Sequence, residues 1–292
     1  MKKICFFNHY HNGDLFHGKA FIREIMYNVD TEFYYAHRMK PAVLDDMDIQ
    51  HTELPGIPHK ARYLDLGDTF LINTWIGAYF GYGIRFDGEC TLRFTHQMYA
   101  RIYDLINQTF PGTDMVLGPV ETYFPFVNYG MVDKAGVNRF VGSDPRKKIL
   151  FSNGKCHSGQ CEYNGDMKPI IEDIASKHPN KVFIATKNFE TQLKNIKFTN
   201  EIIDQNKGCD LNEISYLSTY CDLIVGRNSG PYCFTVTDTN INDPNKTFYA
   251  FGTRETDCFA MGIEIPAKLI FESYTSLNNV HKSISDLVSK IR

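Results

Sequence analysis

Short apolar runs alternate with stretches of helical periodicity along this chain, and the alternation restarts once, across the polar and basic residues 142–148. In the first half, residues 4–7 have the length and apolarity of a buried strand and stop at the polar run 8–14. Phe16, Ala20, Ile22, Ile25 and Met26 then recur at helical spacing. Residues 32–36, 70–75 and 115–118 read as further strands, and 91–109 as a helix carried by Phe94, Met98, Ile102, Leu105 and Ile106. Residues 40–66 are mixed, with Pro41, Pro55 and Pro58 marking loops. In the second half, 149–151, 182–185, 223–225 and 249–251 read as strands. Helices are expected from Pro169, over 211–219 and over 273–291. Strands alternating with helices imply βαβ units and parallel sheets. The expected fold class is therefore α/β, with two Rossmann-like lobes, 1–145 and 146–292, facing across a cleft. Ligands would sit where the carboxyl ends of the strands converge.

Bulk properties narrow the function. A chain of 292 residues suffices for two domains of ordinary size. A net charge of −3 argues against nucleic-acid binding through overall charge. The basic run Arg146, Lys147, Lys148 is a solvated linker rather than a binding patch. The first residues imitate the start of a signal peptide, but the apolar run is too short and His9, His11 and Asp14 follow at once. No stretch approaches the roughly 20 apolar residues that span a bilayer, so a cytoplasmic protein is expected, with peripheral membrane contact left open. The eight cysteines suit reduced thiols. Cys156, His157 and Cys161 lack a second ligand pair at matching spacing, so no metal is expected.

Three loops carry candidate chemistry. In segment 221–235 an apolar strand ends at Gly226, Asn228 or Ser229 is placed to cap a following helix, and Pro231 suits its first turn. Gly230 admits a ligand close to the backbone, the helix dipole favours an anion, and Arg227 adds charge. A well-capped turn with no ligand is the plainer alternative. The loop after the first strand brings His11, Gly13 and Asp14 to a strand end, where a carboxylate or imidazole would act as general base; Asp14 as a simple helix cap is equally consistent with the spacing. The third loop, after residue 151, offers Asn153, Gly154 and Lys155 for a phosphate, although the Gly-Lys-Ser/Thr ending of a P-loop is absent. Lys187 and Glu213 lie at further loop positions suited to a ribose or base. The aromatic stretch 123–129 reads as packing rather than an acceptor platform.

Taken together, these loops resemble a small GT-B glycosyltransferase, most similar to the heptosyltransferase-like glycosyltransferase family 9. Gly13-Asp14-Leu15-Phe16 matches that family's Gly-Asp after the first strand. Asp222 to Pro231 resembles its Asp-x-hydrophobic…Ser/Thr-Gly-Pro-like segment, and Phe248 to Gly252 the strand and glycine that follow. Tyr232 and Cys233 stand where the family usually has a His. The resemblance implies that Asp14 is the catalytic base and that Ser229 and Gly230 bind the donor phosphates, with Lys155 in the place of a phosphate-binding Lys. It also implies an inverting, metal-independent transfer from a nucleotide-sugar, acting as co-substrate without a further cofactor, to a glycan or glycolipid acceptor. A nucleotide-sugar epimerase of the same two-lobed fold and a non-catalytic nucleotide-binding protein are the alternatives.

Overall fold

The computed structural model describes residues 2–10, 12–37, 42–53, 56, 58–85, 87–155, 165–204, 210–228, 230–273 and 277–292. The chain divides into two units, Met1–Asn128 and Tyr129–Arg292.

The first unit runs β1 (Lys3–Asn8), α1 (Asn12–Asn28), β2 (Phe33–His37), β3 (Gln50–Thr52), β4 (Tyr63–Asp65), β5 (Thr69–Asn73) and α2 (Thr91–Thr109). Its sheet has the order β3-β2-β1-β5-β4, parallel except for β4 against β5. β1 is central, so Ile4, Phe6 and Phe7 are wholly buried, and that is why the strand reads as continuously apolar. Helix α1 packs on α2 through Phe21, stacked on Tyr99 at 4.4 Å and on Tyr123 at 4.3 Å. Tyr123, Phe124 and Phe126 are buried, as expected of packing aromatics.

A buried ion pair ties α1 to the rest of this unit. Lys19 bonds Asp46, and their side chains are 0% and 1% exposed. Lys19 Nζ also donates to the Val43 carbonyl at 3.3 Å, and Asp46 Oδ2 accepts from the Asn128 amide at 2.8 Å. The pair therefore links the helix, the turn at 42–47 and the last residue of the unit.

The mixed stretch 40–66 contains β3 and β4, short edge strands of exposed or half-buried residues that show no apolar run. One expectation fails here. Residues 115–118 form no strand. Met115 instead exchanges both of its backbone bonds, each 2.9 Å, with the side chain of Asn107 on α2. A side-chain amide has taken the place of a neighbouring strand.

The second unit runs α3 (Ala135–Ser143), β6 (Lys147–Ser152), α4 (Lys168–Lys177), β7 (Lys181–Ala185), β8 (Ile196–Phe198), α5 (Thr199–Ile202), α6 (Leu211–Ser218), β9 (Leu223–Arg227), α7 (Asp238–Ile241), β10 (Thr247–Gly252), β11 (Lys268–Ser273) and α8 (Leu277–Lys290). The sheet order is β11-β10-β9-β6-β7-β8, parallel throughout. Ile149, Phe151, Phe183, Val225 and Phe251 face Ile171 and Ile174 of α4 and Val280, Ile284 and Val288 of α8. The helix expected over 273–291 starts later, because Ser273 completes β11 opposite Gly252. No helix among the described residues is long and apolar enough to cross a membrane. Cys156, His157 and Cys161 lie outside the described residues.

Replacing Asp46 by Ala leaves the Lys19 ammonium buried without its counter-ion, at an expected cost of about 3–5 kcal/mol in urea unfolding. The double replacement Lys19→Met with Asp46→Leu is expected to recover most of that loss, since it removes both charges together.

Candidate functional site

Strand order locates the candidate sites. In the first sheet the chain steps outward from β1 to β2 and β3, then resumes on the other flank of β1 with β5. In the second it steps from β6 to β7 and β8, then returns to the other flank of β6 with β9. At each reversal the outgoing connections leave in opposite directions, and a crevice opens at the carboxyl ends of the two strands. One crevice lies at β1/β5 and the other at β6/β9, each within its own unit.

Asp14 stands in the first turn of α1, directly after β1. In that turn a carboxylate also complements the helix dipole. The residue is half-buried, and burial pushes its carboxyl up to about 7, an effect only partly offset by the Ile76 amide donating to it. Around it, burial above all, with the Asp14 charge adding, raises the phenols of Tyr35 and Tyr99. A carboxyl that titrates near neutrality next to a strand end is matched to taking and releasing a proton at working pH. Gly13 precedes it with open space where a Cβ would be. His11 lies outside the described residues.

In the second crevice, Asn153 follows β6 and joins two loops. Its Oδ1 accepts from the Lys187 amide at 2.8 Å and the Thr186 hydroxyl at 3.3 Å, and its Nδ2 donates to the Lys187 carbonyl at 2.8 Å. Lys155 and Lys187, both exposed, stand on the loops so joined. Arg227 ends β9 and is only 2% exposed. Its Nη1 donates to the Gly154 carbonyl at 3.0 Å and its Nη2 to that of Gly165, while the guanidinium lies 5.7 Å over Phe251. Nε finds no hydrogen-bond partner among the described residues. Arg227 thus holds the backbone at Gly154 and at Gly165. Asn228 is buried, its amide donating to the Phe251 carbonyl at 3.2 Å. Gly230 is exposed at φ 58°, in the left-handed region. Glu213 is buried in the first turn of α6. Ser229 lies outside the described residues.

The helix expected after Gly230 is a correction. Gly230–Thr235 is a single 3-10 segment, followed by the four-residue α7. The sequence Thr235-Val236-Thr237 is β-branched throughout and resists continuing a helix. Thr235 Oγ1 closes the turn on the Tyr232 carbonyl at 2.6 Å, and the Tyr232 amide donates to Ser152 Oγ at 3.2 Å. The segment therefore has no long helix dipole to offer an anion.

No protein-family profile matches the chain, and no curated protein matches it in sequence. Solved structures do match its fold. The chain covers 99% of itself and 99% of the E. coli heptosyltransferase WaaC with ADP, at 7% identity and TM-score 0.57. Against the E. coli ADP-heptose lps heptosyltransferase II the figures are 99%, 99%, 10% and 0.56. A family 9 glycosyl transferase from Veillonella parvula is covered over 90% of its length by the whole of this chain, at 10% identity and TM-score 0.55. The fold is that of the heptosyltransferases. A UDP-GlcNAc 2-epimerase from Neisseria meningitidis is a weaker likeness, at 12% identity and TM-score 0.50. Spacing alone did not single out residues 73–76, where the Ile76 amide donates to Asp14 and the Thr74 amide to the Phe7 carbonyl at 2.9 Å. The only signal for them was a polar Asn-Thr pair ending an apolar run.

Two outcomes are expected. A Cβ at Gly226 would stand 2.8 Å from the Ser152 Cβ and 2.9 Å from that of Tyr232, so Gly226→Ala is expected to cost about 1–3 kcal/mol in denaturant unfolding. Folding raises the Asp14 carboxyl, so the stability it contributes is complete below about pH 4 and is lost as pH rises through about 7. Asp14→Asn removes that loss. Its melting temperature is expected to exceed the parent's above pH 7, with the gap closing toward pH 4.

Proposed function

We propose that the chain is a glycosyltransferase that moves a sugar from a nucleotide-activated donor to the hydroxyl of a glycan or glycolipid acceptor. The observation that carries this reading is Asp14: on the heptosyltransferase fold, a carboxyl after β1 sits with its proton affinity lifted to about 7. Asp14 takes the acceptor's hydroxyl proton as the oxygen attacks the anomeric carbon, and the bond from that carbon to the nucleoside diphosphate breaks on the opposite side, with inversion. The donor belongs to the β6/β9 crevice. There Lys155 and Lys187 neutralise the leaving diphosphate without a metal, Gly154 and Gly230 bring the backbone close to it, and Asn153, Glu213 and Asn228 shape the pocket. WaaC was solved with ADP and with ADP-2-deoxy-2-fluoro heptose, which supports a nucleotide-sugar donor here.

A thermal-shift screen of ADP-, UDP- and GDP-sugars identifies the donor, since a ligand at about 100 times its Kd stabilises by about 2.7 kcal/mol. With that donor, Asp14→Asn is expected to keep its nucleotide affinity and to lose about 10²–10⁴-fold in turnover. In the parent, kcat/KM is expected to rise with pH through about 7 as the carboxylate forms. Unchanged turnover in the variant overturns the role of Asp14. Exchange of a sugar C–H with solvent deuterium in the absence of acceptor favours the epimerase reading, which the Neisseria likeness brings in.

A further inference from the structure

The β1/β5 crevice holds a second feature that the transfer chemistry above leaves unused. Three rings gather there: Tyr10 after β1, His59 before β4 and Trp75 after β5. Tyr10 and Trp75 lie with centroids 4.4 Å apart, Tyr10 and His59 at 5.9 Å, and His59 and Trp75 at 5.7 Å. Tyr10 is 38% exposed, and the other two residues are half-buried. Aromatic side chains that close a hydrophobic core are covered; these are open to solvent.

Their backbone is held by polar side chains at the ends of three parallel strands. Asn73, wholly buried at the end of β5, donates from Nδ2 to the carbonyls of His59 and Ala61 at 2.8 Å each. Its Oδ1 accepts from the Trp75 amide at 3.0 Å. Asn8, at the end of β1, accepts from the Tyr10 amide at 2.8 Å. His37, at the end of β2, donates from Nε2 to the Tyr10 carbonyl at 3.1 Å. The indole also lies where a side chain at residue 77 would be, since a Cβ on Gly77 would meet it at 2.2 Å. The very next amide after Trp75, that of Ile76, donates to the Asp14 carboxyl. Platform and carboxyl are thus one peptide unit apart.

We propose that Tyr10, His59 and Trp75 form the platform on which the acceptor's sugar ring stacks, presenting a hydroxyl to Asp14. A pyranose has one face lined by C–H bonds, which packs against the electron-rich faces of aromatic rings, and an edge of hydroxyls that remains free to react. A nucleobase also stacks on aromatic rings, but it carries no hydroxyl for the base beside it to deprotonate. The inference rests on the reading of Asp14 as the base.

Trp75 is the chain's one tryptophan, so its emission reports on this crevice alone. The full chain, without donor, is titrated with methyl glycosides and short oligosaccharides of glucose, galactose, mannose and N-acetylglucosamine, and in parallel with ADP and UDP. A saturable change in emission with at least one sugar is expected, with the apparent Kd weakened about tenfold in Tyr10→Ala and unchanged in Tyr27→Ala, whose ring is 89% exposed on α1. Removal of Trp75 itself is followed by saturation-transfer NMR on the sugar protons. If that variant does not fold, Tyr10→Ala alone carries the test, because its ring is at the surface. No response to any sugar, or a response to the nucleotides alone, overturns the proposal. Sugar binding with no transfer from any donor would sink the transferase reading and leave the platform standing. Transfer with a silent Trp75 would do the reverse.

Discussion

β1 and β6 each pair in parallel with a strand on both flanks, and most of what the protein offers chemically follows from that. A strand so placed must be apolar on both faces, and its successors must cross over the sheet to reach their places. Because one crossover leaves toward β2 and the return arrives at β5, the loops that follow β1 and β5 meet at the carboxyl ends of these strands, bringing Tyr10 and Trp75 together. The strand order at β6 and β9 repeats the arrangement in the second unit. Polar and charged residues that would be ruinous within the strands are tolerated at these ends. The two candidate sites are there because the topology leaves room for them.

Much of this was legible in the chain. Strands buried on both faces announce themselves as short apolar runs, which is why 149–151, 182–185, 223–225 and 249–251 were readable. Asp14 and Lys155 stood out as charged residues on the loops that follow such runs, although a helix-capping role explained Asp14 equally well. Edge strands gave no such signal. β3 and β4 lie at the margin of the first sheet, with residues half-exposed or more, so neither an apolar run nor an alternation marks them. Residues 115–118 misled in the opposite way, being apolar enough for a strand while side chains bond their backbone, Asn107 at Met115 and His96 and Tyr123 at Gly118. After Gly230 the cap and proline signals of a helix were present. The β-branched run and the crowding of Tyr232 against Ser152 and Gly226 decided for a 3-10 turn.

Arg227 shows how a charge reads differently in a fold. As a sequence feature it looked like a cation awaiting a phosphate. In the structure two of its nitrogens hold the carbonyls of Gly154 and Gly165, and its plane covers Phe251. An arginine so engaged fixes the backbone next to Lys155. Asn8, Asn73 and Asn153 act alike, each holding loop backbone against a strand end through its side-chain amide, Asn73 and Asn153 with both oxygen and nitrogen and Asn8 with its oxygen.

The contact between the Trp75 indole and Gly77 has a consequence for how this crevice can vary. While the indole occupies the space over residue 77, no side chain fits there, and once the indole is gone the glycine loses its steric reason to persist. Positions 75 and 77 are therefore expected to change together across descendants of this chain. A tryptophan paired with a glycine two residues on would mark the lineages that keep the ring, and a larger residue at 77 those that have abandoned it.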